Sequence, residues 1–558
     1  MRLIGAVAVL VLCTIQNIAG DDDDTIVQTT KGQIRGEKLK TIVGDIEYYS
    51  YKGIPYARPP VGKLRFKDPK EAAQWEGVLN CTKHGSICPQ FNPLTGVYSS
   101  ASEDCLFLNV YSPNVRVKSE SLYPVIVFIH GGANIFGSGN SDSYGPDYLL
   151  AKNFVVVTMN YRLGALGFLS IGSKDVPGNA ALKDQVLALK WVQKNIKKFG
   201  GDPNSVTVLG DTAGGQAVTL HMMSPMSKGL FKRAIAMSGS PTCDYGLTYN
   251  PERKAQIFGT LCNCTDVKNK SALLTCLQNA PYDIFYALAP TVLASEPIID
   301  VLFKLEHFTP VIEKPTENNF ITEEYYDLLK NGKVNNDVDF MIGYAGKEAV
   351  LLIEPYHASY VDNYNRYREL FTPSELLTKC TPDTNLEVAD RVVKYYFGDK
   401  KVSVDNLDLF LSYASNTSIA YHAQRFVNKW APLGQKTYFF KFESFTSWNF
   451  YGQFGTKYGI NEAAHFDFPN YVFCPHAQVS SVDTNSLEYK LSQQIVTAVT
   501  NFAKTGNPST DKVVWSTYST SNKAFVTFGN DGPKVGYGPD EADYKFWQSI
   551  YEYAGIPF

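Results

Sequence analysis

The stretch Ser205-Val-Thr-Val-Leu-Gly210-Asp211-Thr212-Ala213-Gly214-Gly215 decides how this chain folds. Ser205 to Leu209 reads as a buried strand, and Gln216 to Met223 beyond it reads as a helix. Between them lies the glycine pattern of G-x-S-x-G, with threonine where serine is expected. Glycines flank the central residue of such a turn because side chains there collide with the strand and the helix. The central hydroxyl is thereby held out at the carboxyl edge of a sheet. On these residues alone, a plain strand-to-helix turn capped by Asp211 or Thr212 reads equally well.

Working outward, Val125–Ile129 runs into His130-Gly131-Gly132-Ala133, and Phe154–Met159 runs into Asn160-Tyr161-Arg162. Both are unbroken apolar runs, as expected of parallel strands covered on two faces. From Leu182 to Phe199 apolar residues recur at three- and four-residue steps, which predicts an amphipathic helix ended by Gly200-Gly201 and Pro203. Further strands are expected at Arg233–Met237, Val338–Ile342 and Thr437–Phe442. This alternation predicts an α/β fold with helices on both faces of a large, mostly parallel sheet. The region from about 250 to 335 is more polar and carries three cysteines and two sequons, so surface insertions are expected there. No linker or internal repeat interrupts the chain, and residues 21–558 are expected to form one domain.

Residues 1–20 read as a signal peptide. Arg2 precedes an apolar run from Leu3 to Ile15, which is shorter than the roughly 20 residues of a membrane span. No anchor or retention signal is read at the C-terminus, so a secreted protein without a membrane anchor is expected. The 52 basic residues nearly balance the 55 acidic ones, which gives no basic footprint for nucleic acid. Beyond Cys13 nine cysteines remain, an odd number. Sequons stand at Asn80, Asn263, Asn269 and Asn416, and on a secreted chain they are candidate glycosylation sites.

Longer matches carry the assignment further. They include Gly53-Ile-Pro-Tyr-Ala-Arg-Pro-Pro60, Ser102-Glu-Asp-Cys-Leu-Phe-Leu-Asn-Val-Tyr111, Asn160-Tyr-Arg-Leu-Gly164, the run Asn195–Pro203 that leads into the elbow, and Asn501–Pro508. On these the chain resembles the type-B carboxylesterase/cholinesterase family over nearly its whole mature length. The resemblance implies the α/β-hydrolase fold and ester hydrolysis without a cofactor or metal. It assigns the acid to Glu348, in Gly343-Tyr-Ala-Gly-Lys-Glu348, and the base to His465, in Ala463-Ala-His-Phe-Asp467. The oxyanion N–H donors carry over to Gly132, Ala133 and Ala213, and the disulfides to Cys88–Cys105 and Cys264–Cys276. Cys81, Cys243, Cys262, Cys380 and Cys474 stay unassigned. Spacing alone does not single out Glu348 or His465, for the chain has seven other histidines.

The departure from the family is Thr212. Threonine keeps a hydroxyl that His465 can activate. Its branched β-carbon is disfavoured in a strained turn and restricts the torsion that aims the hydroxyl. Two readings follow. One is a secreted carboxylesterase, slow or narrow in substrate range, that takes a small ester. The other is an inactive relative that binds an apolar ligand or an extracellular partner, as neuroligins, neurotactin and glutactin resemble this fold without esterase chemistry. Oligomeric state is not legible.

Overall fold

The computed structural model describes residues 24–93, 95–99, 101–294, 307–353 and 358–556; the expected signal peptide lies outside them. Sixteen strands are formed among these residues. β1 (Ile26–Gln28), β2 (Gln33–Arg35) and β5 (Val78–Asn80) make a small sheet, and β6 (Gln90–Asn92) pairs with β7 (Val97–Ser99). The other eleven build the central sheet. They are β3 (Glu37–Lys40), β4 (Glu47–Pro55), β8 (Phe107–Ser112), β9 (Tyr123–Ile129), β10 (Val155–Met159), β11 (Gly201–Asp211), β12 (Arg233–Met237), β13 (Asp339–Ala345), β14 (Thr437–Phe442), β15 (Ala524–Gly529) and β16 (Gly532–Tyr537). Their spatial order is β16-β15-β14-β13-β12-β11-β9-β10-β8-β4-β3. Every pairing from β15 through to β10 is parallel, and the strands outside that block run antiparallel.

The unbroken apolar runs are explained by two cores. Val125, Val127 and Ile129 of β9 enter one core, while Ile126 and Phe128 between them enter the other. β10 divides in the same way, with Val155 and Val157 on one side and Val156 on the other. The first core is roofed by the helix Ala180–Asn195 through Leu182, Val186, Leu189 and Val192, the residues of the expected stripe. The second is roofed by the helix Leu487–Thr505 through Leu491, Ile495, Val499 and Phe502. Helices thus cover both faces of the sheet, as the alternation predicts.

Two local expectations change. The region after 250, expected as surface insertions, forms the helices Pro251–Leu261, Lys270–Asn279 and Asp283–Ala294, whose Phe258, Leu277 and Phe285 join the first core. The helix after β11 begins at Ala213 rather than Gln216. Gly214 and Gly215 are helical residues there, selected by close packing rather than by a need to break the helix. A Cβ on Gly214 would stand 2.0 Å from the Ile129 carbonyl oxygen, and one on Gly215 would stand 2.6 Å from that of Met237.

The sheet order places the candidate residues. Thr212 follows β11, Gly132 follows the adjacent β9, Glu348 follows β13 and His465 lies in the loop after β14. All leave the carboxyl ends of parallel strands, where open α/β sheets form their clefts.

Candidate active site

Thr212 sits at φ 54° and ψ −119°, a region where a β-branched residue is a genuine outlier. Such a conformation costs on the order of 1–3 kcal/mol and persists only when its surroundings over-determine it. Here they do. The Thr212 N–H donates to the Met237 carbonyl at 2.8 Å, and its carbonyl accepts from the Gln216 N–H at 2.8 Å. A Cβ on Gly239 would come within 2.0 Å of the Thr212 carbonyl oxygen, and one on Gly210 within 2.2 Å of that of Gly214. The hydroxyl is therefore presented by an elbow, and the simple capped turn is set aside.

The loop after β9 approaches just as closely. The Gly132 N–H donates to Thr212 Oγ1 at 3.3 Å, and a Cβ on Gly131 would stand 2.2 Å from that oxygen. Gly132 (φ 111°) and Ala133 (φ 53°) both have positive φ, which turns this segment over the elbow. His130 props it from behind. Its Nδ1–H donates to the Gly131 carbonyl at 2.7 Å, its ring stacks on Tyr161, and burial lowers its pKa to about 4, so it is neutral.

Glu348 and His465 meet although 117 positions separate them: Nδ1 of His465 lies 2.6 Å from Oε2 of Glu348. The other carboxylate oxygen accepts from the Ser238 hydroxyl and the Ala345 N–H, each at 2.6 Å. With Nδ1–H committed to the carboxylate, the basic nitrogen of the ring is Nε2. The histidine loop is itself pinned by Asp467, which accepts N–H bonds from Asn449, Tyr451, Gly452 and Ala464 at 2.9–3.1 Å. A cavity of about 70 Å³ is lined by Thr212, Ala213, Ala133, Glu348, His465 and Phe466. Phe466, a bulky residue at φ 71°, packs its ring against Phe136 and Tyr451 and walls this space.

Two features of the site escape sequence reading. Ser238 stands in no motif, yet it positions the acid. Asp211 is 2% exposed, and among the described residues neither of its carboxylate oxygens has a hydrogen-bond partner. Burial pushes its pKa up to about 8, with nearby Glu348 and Asp467 acting in the same direction and His465 against it. Between the unfolded value near 4 and about 8 the folded chain holds one proton more than the unfolded chain. This group therefore makes stability fall as pH rises, by up to about 1.4 kcal/mol per pH unit. Asp211→Asn removes that contribution. Urea unfolding at pH 5 and pH 8 should show a smaller loss of stability in the variant than in the native chain.

The sequence from 23 to 547 matches the model of the carboxylesterase family. The chain belongs to that family. It is 34% identical to venom carboxylesterase-6 of Apis mellifera over 94% of each chain, and 35% identical to esterase FE4 of Myzus persicae over 87% of this chain and 85% of that one. Among solved structures it resembles the juvenile hormone esterase of Manduca sexta, with OTFP covalently attached, at TM-score 0.85 and 29% identity. That match covers 95% of this chain and 99% of the other. The protein is a carboxylesterase-family hydrolase with the α/β-hydrolase fold.

In this carboxylesterase-family chain both expected disulfides, Cys88–Cys105 and Cys264–Cys276, are present. Cys81, Cys243, Cys262, Cys380 and Cys474 remain thiols. Asn80, Asn263 and Asn269 are exposed. Asn416 is not: it is 8% exposed in the π-helical turn Asn416–Ala420, and its amide donates to the Ser412 carbonyl. Burial of its side chain makes the fourth sequon less accessible than the other three.

Proposed function

We propose that this protein is a secreted carboxylic ester hydrolase in which Thr212 is the nucleophile, His465 the general base and acid, and Glu348 the group that orients it. The supporting observation is the 2.6 Å pairing of Glu348 with His465 on the same cavity as Thr212. A buried acid and base that line one cavity with a hydroxyl favour catalysis over binding alone. In this reading Nε2 of His465 takes the Thr212 proton as Oγ1 attacks the ester carbonyl, and later returns it to the leaving alcohol. The developing oxyanion is met by the N–H groups of Gly132, Ala133 and Ala213. Gly132 already aims its N–H at Oγ1, next to the place the oxyanion takes. Glu348 stabilises the imidazolium, and no cofactor or metal enters these steps.

The substrate class is a small ester, in keeping with the modest cavity and the Phe466 wall. Secretion is supported by the apolar N-terminal run and by a relative named from venom. No helix among the described residues is long and apolar enough to cross a membrane.

A fluorophosphonate probe tests this reading directly. It is expected to modify Thr212 in the native chain and to leave His465→Ala and Thr212→Ala unmodified, as read by peptide mass spectrometry. Equal labelling of Thr212→Ala assigns the nucleophile elsewhere. Absence of labelling in the native chain, together with no ester turnover, favours the inactive binding protein.

A further inference from the structure

Away from the elbow, one group of side chains has the donor set of a metal centre. Asp147, Cys474 and His476 bring a carboxylate oxygen, a thiol and an imidazole nitrogen within 4.8 Å of one another. Two distant stretches meet to do this. Gly145 and Cys474 exchange backbone hydrogen bonds at 2.8 and 3.0 Å as an isolated bridge, which fixes the donors side by side. Asp147 opens a short helix on one stretch, and Cys474 and His476 flank Pro475 on the other.

Asp147 is oriented by a further contact, and His476 by Asp147 itself. Oδ1 of Asp147 accepts the Ile42 N–H at 2.7 Å, which leaves Oδ2 facing Nε2 of His476 at 2.5 Å. Outer contacts of this kind are what hold metal ligands in place. Asp147 and Cys474 are buried, whereas the His476 side chain is one-quarter exposed, so the cluster opens to solvent on one side.

We propose that Asp147, Cys474 and His476 bind one divalent transition-metal ion of the zinc class, with water as the fourth ligand. Thiolate, imidazole and carboxylate together suit a borderline-soft ion. Thiolate and carboxylate supply two negative charges, which neutralise a dication in a largely buried place, and the neutral imidazole completes the set. Bonds of about 2.0–2.3 Å at tetrahedral angles place donors roughly 3.3–3.6 Å apart. The three atoms reach that spacing if the His476–Asp147 pair opens by about 1 Å and Cys474 closes from at most 4.8 Å. Binding releases the Cys474 proton. The ion would staple the stretch that follows the oxyanion loop to the stretch that follows the His465 loop.

Cobalt(II) is the probe, added to the purified full chain. One equivalent is expected to give a thiolate-to-cobalt charge-transfer band that zinc(II) abolishes by displacement. Cys474→Ser should lose the band, and Cys380→Ser should keep it. His476→Gln should bind at least about tenfold more weakly, and because His476 is partly exposed this variant carries the test if Cys474→Ser does not fold. The proposal is overturned if the native chain gives no band, if the band survives in Cys474→Ser, or if His476→Gln binds with native affinity. In those cases Asp147 and His476 are an ordinary hydrogen-bonded pair beside an inert thiol. Ester turnover is not the readout, so the result is independent of the role given to Thr212.

Discussion

Thr212→Ser is expected to turn over a short-chain aryl ester at least about tenfold faster than the native chain. The argument is local. At φ 54° the backbone of residue 212 is already strained, and a β-branched side chain adds crowding that serine avoids. In the acyl transfer Oγ1 bonds the substrate carbonyl carbon while the threonine methyl sits on the same Cβ, so the methyl crowds the tetrahedral centre. The neighbours offer little relief, for Gly131 passes so close that even a Cβ there would touch Oγ1. Serine keeps the oxygen, removes the methyl and frees the torsion that aims the hydroxyl at both base and carbonyl. Errors of about 1 Å in that aim are worth on the order of a hundredfold in rate, so a tenfold gain is a conservative expectation. Steady-state kinetics on the two purified proteins decide it; equal or lower turnover by the serine variant shows that the methyl is not what limits the native chain.

Glu348→Gln is expected to lower turnover on the order of a thousandfold or more, measured in the Thr212→Ser background where the signal is largest. The carboxylate accepts from three donors: the His465 ring, the Ser238 hydroxyl and the Ala345 N–H. A carboxamide cannot serve all three. If its NH2 faces the ring, Nδ1 becomes the acceptor, the proton moves to Nε2, and the base is lost. If its NH2 faces Ala345, two N–H groups oppose each other in a buried site and the loop after β13 gives way. Both arrangements also leave the imidazolium without its counter-charge. Native-like turnover in this variant removes Glu348 from the mechanism.

The elbow was the most legible part of the site because its geometry is enforced within a few residues. Gly210 and Gly214 stand where a Cβ would strike backbone, and such contacts tolerate no other residue. The strands were legible for a similar reason, since burial on both faces leaves an unbroken apolar signature. Glu348 and His465 were reached only through resemblance to a family, because their pairing joins loops far apart in sequence. Ser238 and the isolation of Asp211 were not legible at all, for each depends on what the fold brings near. The helices between 251 and 294 are harder to read, because three cysteines and two sequons interrupt the stretch, although their inward faces carry Ala255, Phe258, Leu273, Leu277, Phe285 and Val292. The Asp147–Cys474–His476 group is the extreme case, joining positions 329 residues apart.

Every participant in the proposed reaction hangs from the carboxyl end of one of four strands in the parallel block, β9, β11, β13 and β14. The sheet therefore acts as a chassis: strand pairing sets where hydroxyl, acid and oxyanion donors emerge, and the Asp467 hydrogen bonds hold the longer histidine loop beside them. Surface helices can drift or accept insertions without moving the reacting atoms against one another. Such a layout lets the outer parts of the chain diverge while the machinery stays in register, so a single change at the elbow can retune the chemistry with nothing else rebuilt.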